Sequence, residues 1–166
     1  MCIRDSLLPV LGLNTAIISI IGQNFGAKNF LRVQESHFTA VKYGFILMIL
    51  SGLIIFLSAD KIVGLFSNHP AVIDYGTNYL KISALIFPAY PIFFISNGFF
   101  MAIKKSKNSM YLNVIRNVIL PVPTILVANT IDGSFETFFW CYCAANWIYV
   151  ISVSYTHLTL PTTPYV

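Results

Sequence analysis

The histidines and cysteines of this chain stand too far apart to act together. His37, His69 and His157 are scattered; Cys141 and Cys143 lie two apart, a spacing that puts them on different sides of a helix, and Cys2 is alone. Small buried apolar side chains are what the cysteines imply, and neither a disulfide framework nor a metal site follows. The carboxylates Glu35, Asp60, Asp74, Asp132 and Glu136 all fall in or beside polar connectors, and no glycine-rich phosphate loop occurs. Enzyme chemistry, a bound cofactor and a metal centre therefore have no constellation to carry them. What remains is a set of polar side chains at helical spacing. Thr15, Ser19 and Gln23 recur every four residues, Ser83, Tyr90 and Asn97 every seven, Asn113 and Asn117 are four apart, and Tyr142, Asn146 and Tyr149 share a face. Their chemistry is hydrogen bonding, to a neighbouring helix or to water and solute in a cavity.

The elements that hold these stripes are apolar blocks. Of 166 residues 57% are apolar and 10% charged, the reverse of what a water-soluble surface requires. Five blocks each match a bilayer crossing of about 20 residues: about Leu7 to Phe25, Phe38 to Ala59, Tyr79 to Ile103, Tyr111 to Thr130 and Phe135 to Ile151. Residues 62–77, with their Asn68-His69-Pro70 break, read as a short interfacial helix and a turn. Pro88 and Pro91 should bend the third block, because each removes a backbone donor. Polar residues inside such blocks are costly unless they face protein or water, so each helix has one wet side. Ala40, Gly44, Ser51, Gly22 and Gly26 read as close helix–helix contacts.

The net charge of +4 sits between the blocks, where it orients the chain and makes no nucleic-acid footprint. Lys28 and Arg32 in the first connector and Lys104, Lys105 and Lys107 in the third mark the cytoplasmic side; residues 60–78 and 131–134, poor in Lys and Arg, face out. Residues 1–6 and 153–166 resemble translated sequencing-adapter sequence and are set apart as a foreign end and tail, leaving 7–152 as the native stretch, with the gene continuing beyond both ends. The Thr/Pro bias of the tail suits neither a helix nor a core.

Ile21-Gly22-Gln23-Asn24-Phe25-Gly26-Ala27 resembles the motif that ends the second helix of a lobe in multidrug and toxin extrusion (MATE) transporters. The order of the later segments is similar too: Ile62-Val63-Gly64-Leu65-Phe66, Ala71-Val72-Ile73, Tyr79-Leu80-Lys81-Ile82, then Arg116-Asn117-Val118-Ile119-Leu120-Pro121. The likeness covers about Leu11 to Ile151. It implies an all-α polytopic bundle, about five transmembrane helices of a six-helix C-terminal lobe, in a multi-pass protein of the cell inner membrane. It also implies partners: the lipid bilayer, small organic and often cationic substrates, and an N-terminal lobe missing from this chain.

The function so implied is part of a secondary active efflux antiporter driven by Na⁺ or H⁺. In some members a carboxylate in the third span of this segment serves coupling, whereas this chain has Pro88-Ala89-Tyr90-Pro91 and no acid between Tyr79 and Ile103, so the ion is unassigned. Ser83, Tyr90, Asn97, Asn113, Asn117 and Asn146 are the candidates for lining the cavity. A lipid-linked oligosaccharide flippase of the same superfamily would want several cations there, and Arg116 is the one candidate well within a span. A structural membrane subunit would instead fill every stripe with partner helices.

Overall fold

The computed structural model describes residues 7–159, with side chains to residue 154. Residues 1–6, expected to be foreign, and the tail from residue 160 lie outside the described residues. The chain is helical throughout this range: α1 Leu8–Gly26, α2 Phe30–Gly64, α3 Pro70–Ile86, α4 Ala89–Ala102, α5 Ser106–Val114, a π-helical turn Ile115–Ile119, α6 Pro121–Ile131 and α7 Phe135–Thr159.

The connectors are shorter than the charge pattern suggests. Arg32 and Glu35 belong to α2, because polar side chains with good helix propensity continue a helix beyond the apolar region. Only three residues, 27–29, separate α1 from α2. Asn29 accepts the Arg32 backbone N–H at 3.3 Å, capping α2, and its own N–H closes on the Asn24 carbonyl at 2.9 Å. Lys28 takes the left-handed conformation that this closure requires (φ 58°), and Lys104 does the same (φ 61°) where Lys105 N–H reaches Phe100 O at 2.9 Å. Both basic connectors thus turn on a left-handed lysine.

At its other end α2 runs on through Ile62 to Gly64, so the expected interfacial helix is its last turn, while the break at Asn68-His69-Pro70 is found and α3 starts on Pro70. With 35 residues α2 extends about 52 Å, well past a hydrocarbon core of about 30 Å.

The third span is broken where its prolines stand. α3 and α4 meet at an angle of 50° across Phe87-Pro88. The fourth is interrupted in a way that the sequence did not signal. Pro121 has no N–H, and the ladder shifts so that Leu120 N–H bonds Ile115 O at 2.8 Å, five residues back, making the π turn. Among the described residues three helices are long and apolar enough to cross a membrane, Leu8–Gly26, Phe30–Gly64 and Ser106–Ile131, and the bent α3–α4 pair makes a fourth. α7, expected as a fifth crossing, has the length but is diluted by Trp140, Trp147, Asn146 and its tyrosines. It also continues past Ile151 to Thr159, and Val153 is buried in the core, so the first part of the tail does extend a helix.

The bent α3–α4 pair lies at the centre. Ile95, Phe100 and Ile103 pack with Ile17, Ile21, Val33 and Ala40 of α1 and α2. Ile82, Ile86, Ala89 and Phe93 pack with Cys143, Tyr149, Val150 and Val153 of α7. α7 begins in a capped turn. Ser134 Oγ accepts the Thr137 N–H at 3.2 Å, and Asp132 accepts from the Ser134 backbone and the Thr137 hydroxyl, each at 3.0 Å, which holds its carboxyl below the ordinary value. Leu53, Ile54 and Leu57 of α2 and Val118, Val122 and Leu126 beyond α5 stand exposed, as lipid-facing residues do.

Candidate functional site

Asn97 and Asn113, both singled out by their spacing, meet between α4 and α5. Asn97 Oδ1 accepts from the Ser109 hydroxyl and from Asn113 Nδ2 at 3.2 Å, and Asn113 Nδ2 also reaches Ser109 O at 2.9 Å. Ser109 and Asn113 are four apart on α5 and so present one face to Asn97. One helical level on, the π turn directs Arg116 inward. Its guanidinium, with the residue 5% exposed, lies 4.1 Å from the Phe93 ring centroid and 4.7 Å from that of Tyr90. No carboxylate pairs with it among the described residues, and the aromatic faces provide the attraction.

From α7, Tyr149 donates its hydroxyl to Leu112 O at 3.0 Å, and Trp147 Nε1 donates to Leu85 O at 3.2 Å. Trp147, half-buried, thus ties α7 to the end of α3. Asn146 is fully buried; its amide donates to Tyr142 O at 2.9 Å and its Oδ1 has no partner. Tyr90, Asn97, Asn113 and Asn146 thus lie inside the bundle. Asn117 points outward and donates to Asn113 O at 3.0 Å, and Ser83 is half-buried on α3, apart from these bonds.

The α1 stripe faces away from the bundle. Thr15, Ser19 and Gln23 are exposed, and Thr15 and Gln23 bond within their own helix, to Gly12 O at 2.8 Å and Ser19 Oγ at 3.5 Å. In the motif, Asn24 Nδ2 donates to Ile20 O at 2.8 Å and Ala27 N–H to Gln23 O at 3.0 Å, so these residues shape the end of α1. Gly22 and Gly26 are not close contacts: a Cβ on either would meet nothing within 4 Å. Gly44 is one, with Pro91 Cβ 3.0 Å and Leu13 3.2 Å from where its Cβ would stand, and Ala40 is buried as expected. Ser51 is half-buried and bonds its own helix at Leu47 O.

Several polar contacts were not foreseen. Asn14 of α1 sits over Gly98, where no Cβ would fit, with its Oδ1 unpartnered. Asn78 Nδ2 donates to Glu136 Oε1 at 2.9 Å across 58 residues of chain. Asn78 and Glu136 border a cavity of about 570 Å³ between α3 and the start of α7, lined by the rings of Tyr75, Tyr79, Phe135 and Phe139. None of the six residues named from the sequence lines it. Sequence spacing reports neighbours on one helix, and a pair such as Asn78 and Glu136 leaves no such trace.

Residues 6–127 match a family profile described as MatE. Among curated relatives, the FAD transporter of Shewanella oneidensis is 24% identical over 127 residues, 76% of this chain and 28% of that protein. The probable multidrug resistance protein YpnP of Bacillus subtilis is 28% identical over 116 residues, 70% of this chain and 26% of that one. The chain therefore spans little more than a quarter of their length. The solved MATE transporter ClbM, in complex with Rb⁺, superposes with a TM-score of 0.86 at 24% identity, covering 92% of this chain and 36% of its own.

Proposed function

Because this chain belongs to the MatE family, a family of transporters and not of enzymes, we propose that it is one part of a multi-pass carrier exporting small organic compounds. The single observation that carries the reading is the family match over 122 residues, from 6 to 127, taken with the ClbM-like fold. The broken third span agrees with it: discontinuous helices with polar interiors are how repeat-built carriers make room for a solute. In this reading residues 7–152 belong to a C-terminal lobe in the cell inner membrane, Na⁺ or H⁺ drives export, and an N-terminal lobe completes the cavity. Ser83, Tyr90, Asn97, Asn113, Asn117 and Asn146 meet solute or water during the cycle.

The curated relatives include both a multidrug resistance protein and an FAD transporter, so an anionic solute is the second reading, and the buried Arg116 favours it. A flippase would need more interior cations than Arg116, and a structural subunit would move nothing.

A carrier that works by rocking one repeat against another cannot run on one repeat. Residues 7–152 expressed alone, in cells lacking their own exporters, should give no ethidium efflux, and co-expression with the helices of a preceding lobe should restore it. Efflux by 7–152 alone, with crosslinking showing a monomer, would sink the half-carrier reading. The orientation is tested separately. A cysteine in place of Ser106 should resist an impermeant thiol reagent applied outside intact cells, and labelling from outside would reverse the topology.

A further inference from the structure

Where the end of α2 meets α3 and the start of α7, Phe56, Asn78, Lys81, Leu85, Glu136 and Trp140 line a pocket of about 380 Å³. Each helix brings a charged side chain to its rim and an apolar one a turn deeper. On α2 the pair is Asp60 and Phe56, on α3 Lys81 and Leu85, and on α7 Glu136 and Trp140, each pair four residues apart and so on one face. The order follows the chain. α2 ends soon after Asp60, at Gly64, and α7 starts just before Glu136, at Phe135, so the charged level lies at the boundary of the bundle and the apolar level toward its middle. Phe56, Leu85 and Trp140 are 40%, 43% and 53% exposed, which leaves that deeper level open to the hydrocarbon of a bilayer. Tryptophan favours this depth, between headgroups and acyl chains.

At the rim the charges are held in place without being neutralised. Glu136 Oε1 accepts from Asn78 Nδ2 at 2.9 Å, an uncharged donor that leaves the second carboxylate oxygen available. Lys81 Nζ stands 3.6 Å from Asp60 Oδ1, a loose and exposed pair that leaves ammonium protons unused. One lysine against two carboxylates gives the rim an excess of negative charge, which disfavours a free phosphate or an anionic lipid. A headgroup that carries both a phosphate and a primary ammonium matches it, the phosphate meeting Lys81 and the ammonium protons meeting Glu136.

We infer that this pocket binds one phospholipid of the phosphatidylethanolamine type, held as a fixed part of the bundle and not as cargo. Its phosphate lies against Lys81, its ammonium against Glu136, and one acyl chain along Phe56, Leu85 and Trp140. The inference requires that the bundle sit in a membrane and does not rest on the export reading.

The test titrates the purified, delipidated 166-residue chain in detergent with phosphatidylethanolamine, phosphatidylcholine or phosphatidylglycerol, and counts bound lipid by native mass spectrometry. One saturable phosphatidylethanolamine is expected, with the other two lipids about fivefold weaker, since choline has no N–H to donate and glycerol no cation. Glu136→Gln keeps an acceptor for Asn78 and should remove the preference over phosphatidylcholine. Lys81→Met should weaken both of these lipids about fivefold, because they share the phosphate. Far-UV circular dichroism checks that both variants keep their helices. Equal binding of the ethanolamine and choline lipids by the native chain would overturn the inference, as would an unchanged preference in Glu136→Gln. Free phosphoethanolamine that competes as well as the lipid would also overturn it, by showing a headgroup site with no use for the acyl chain. A chain that binds the lipid as expected while no ethidium is exported in the co-expression experiment would leave this site standing and count against the carrier reading alone.

Discussion

On one flank of α4, Ile95 and Phe100 meet Ile17, Ile21, Val33 and Ala40, and Pro91 closes against the bare backbone of Gly44. On the other flank Asn97 gathers Ser109 and Asn113, and Phe93 and Tyr90 hold the Arg116 guanidinium. The same helix is thus packed by shape on one side and by polar groups on the other. Lipid is as apolar as leucine, so in a bilayer the first flank gains from close fit alone, and the second from bonds that lipid cannot replace but water can. The shape-packed flank has one arrangement, whereas the polar flank offers alternatives wherever water enters.

The largest effect should come from spoiling the close fit. Gly44→Val places carbon where Pro91 Cβ and Leu13 already press, and should cost about 1–3 kcal/mol of unfolding free energy in mixed micelles. Gly22→Ala, which meets open space, should leave stability unchanged or raise it by up to about 1 kcal/mol. Equal costs at both sites would erase the contrast.

The polar flank should respond less. Asn97→Leu strips Ser109 and Asn113 of a shared acceptor and should cost about 1–2 kcal/mol, as interhelical hydrogen bonds in membrane bundles do. Combined with Ser109→Ala in a double-mutant cycle, it should show coupling of about 0.5–1 kcal/mol, and strict additivity would mean that the seam is not a unit. The smallest change is expected from Arg116→Met, within about 1 kcal/mol of the native chain, because removing a buried cation also removes its desolvation cost. A loss above about 3 kcal/mol would reveal an ion pair that the fold does not show.

The kink was legible because proline acts through its own missing donor, and Pro88 marks the 50° break whatever surrounds it. The helix ends were less so. Apolar blocks locate the part of a helix inside the bilayer, and backbone bonding carried α2 eight residues earlier than its apolar block, to Phe30, and on to Gly64. Spacing marked Asn97 and Asn113 as polar stripes and said the same of Thr15, Ser19 and Gln23, yet the first two lie inside the bundle and the last three face outward. A stripe has a direction only once a neighbour is known. Ser109 went unremarked because it lies before the apolar block that begins near Tyr111, one turn from Asn113, and gains its role from Asn97 on another helix.

By itself the sequence determined the all-helical class, the break at Pro88, the turn at Asn68-His69-Pro70 and the order of motifs that the family match bears out, since each depends on local backbone chemistry or on hydropathy summed over a window. Tertiary structure alone decided which wet faces turn inward, that Arg116 rests on Tyr90 and Phe93, that Gly44 is a contact and Gly22 is not, and that Asn78 joins Glu136 beside an aromatic cavity. Those facts are pairings between segments far apart in the chain, fixed by how helices cross, and no periodicity within one helix encodes them.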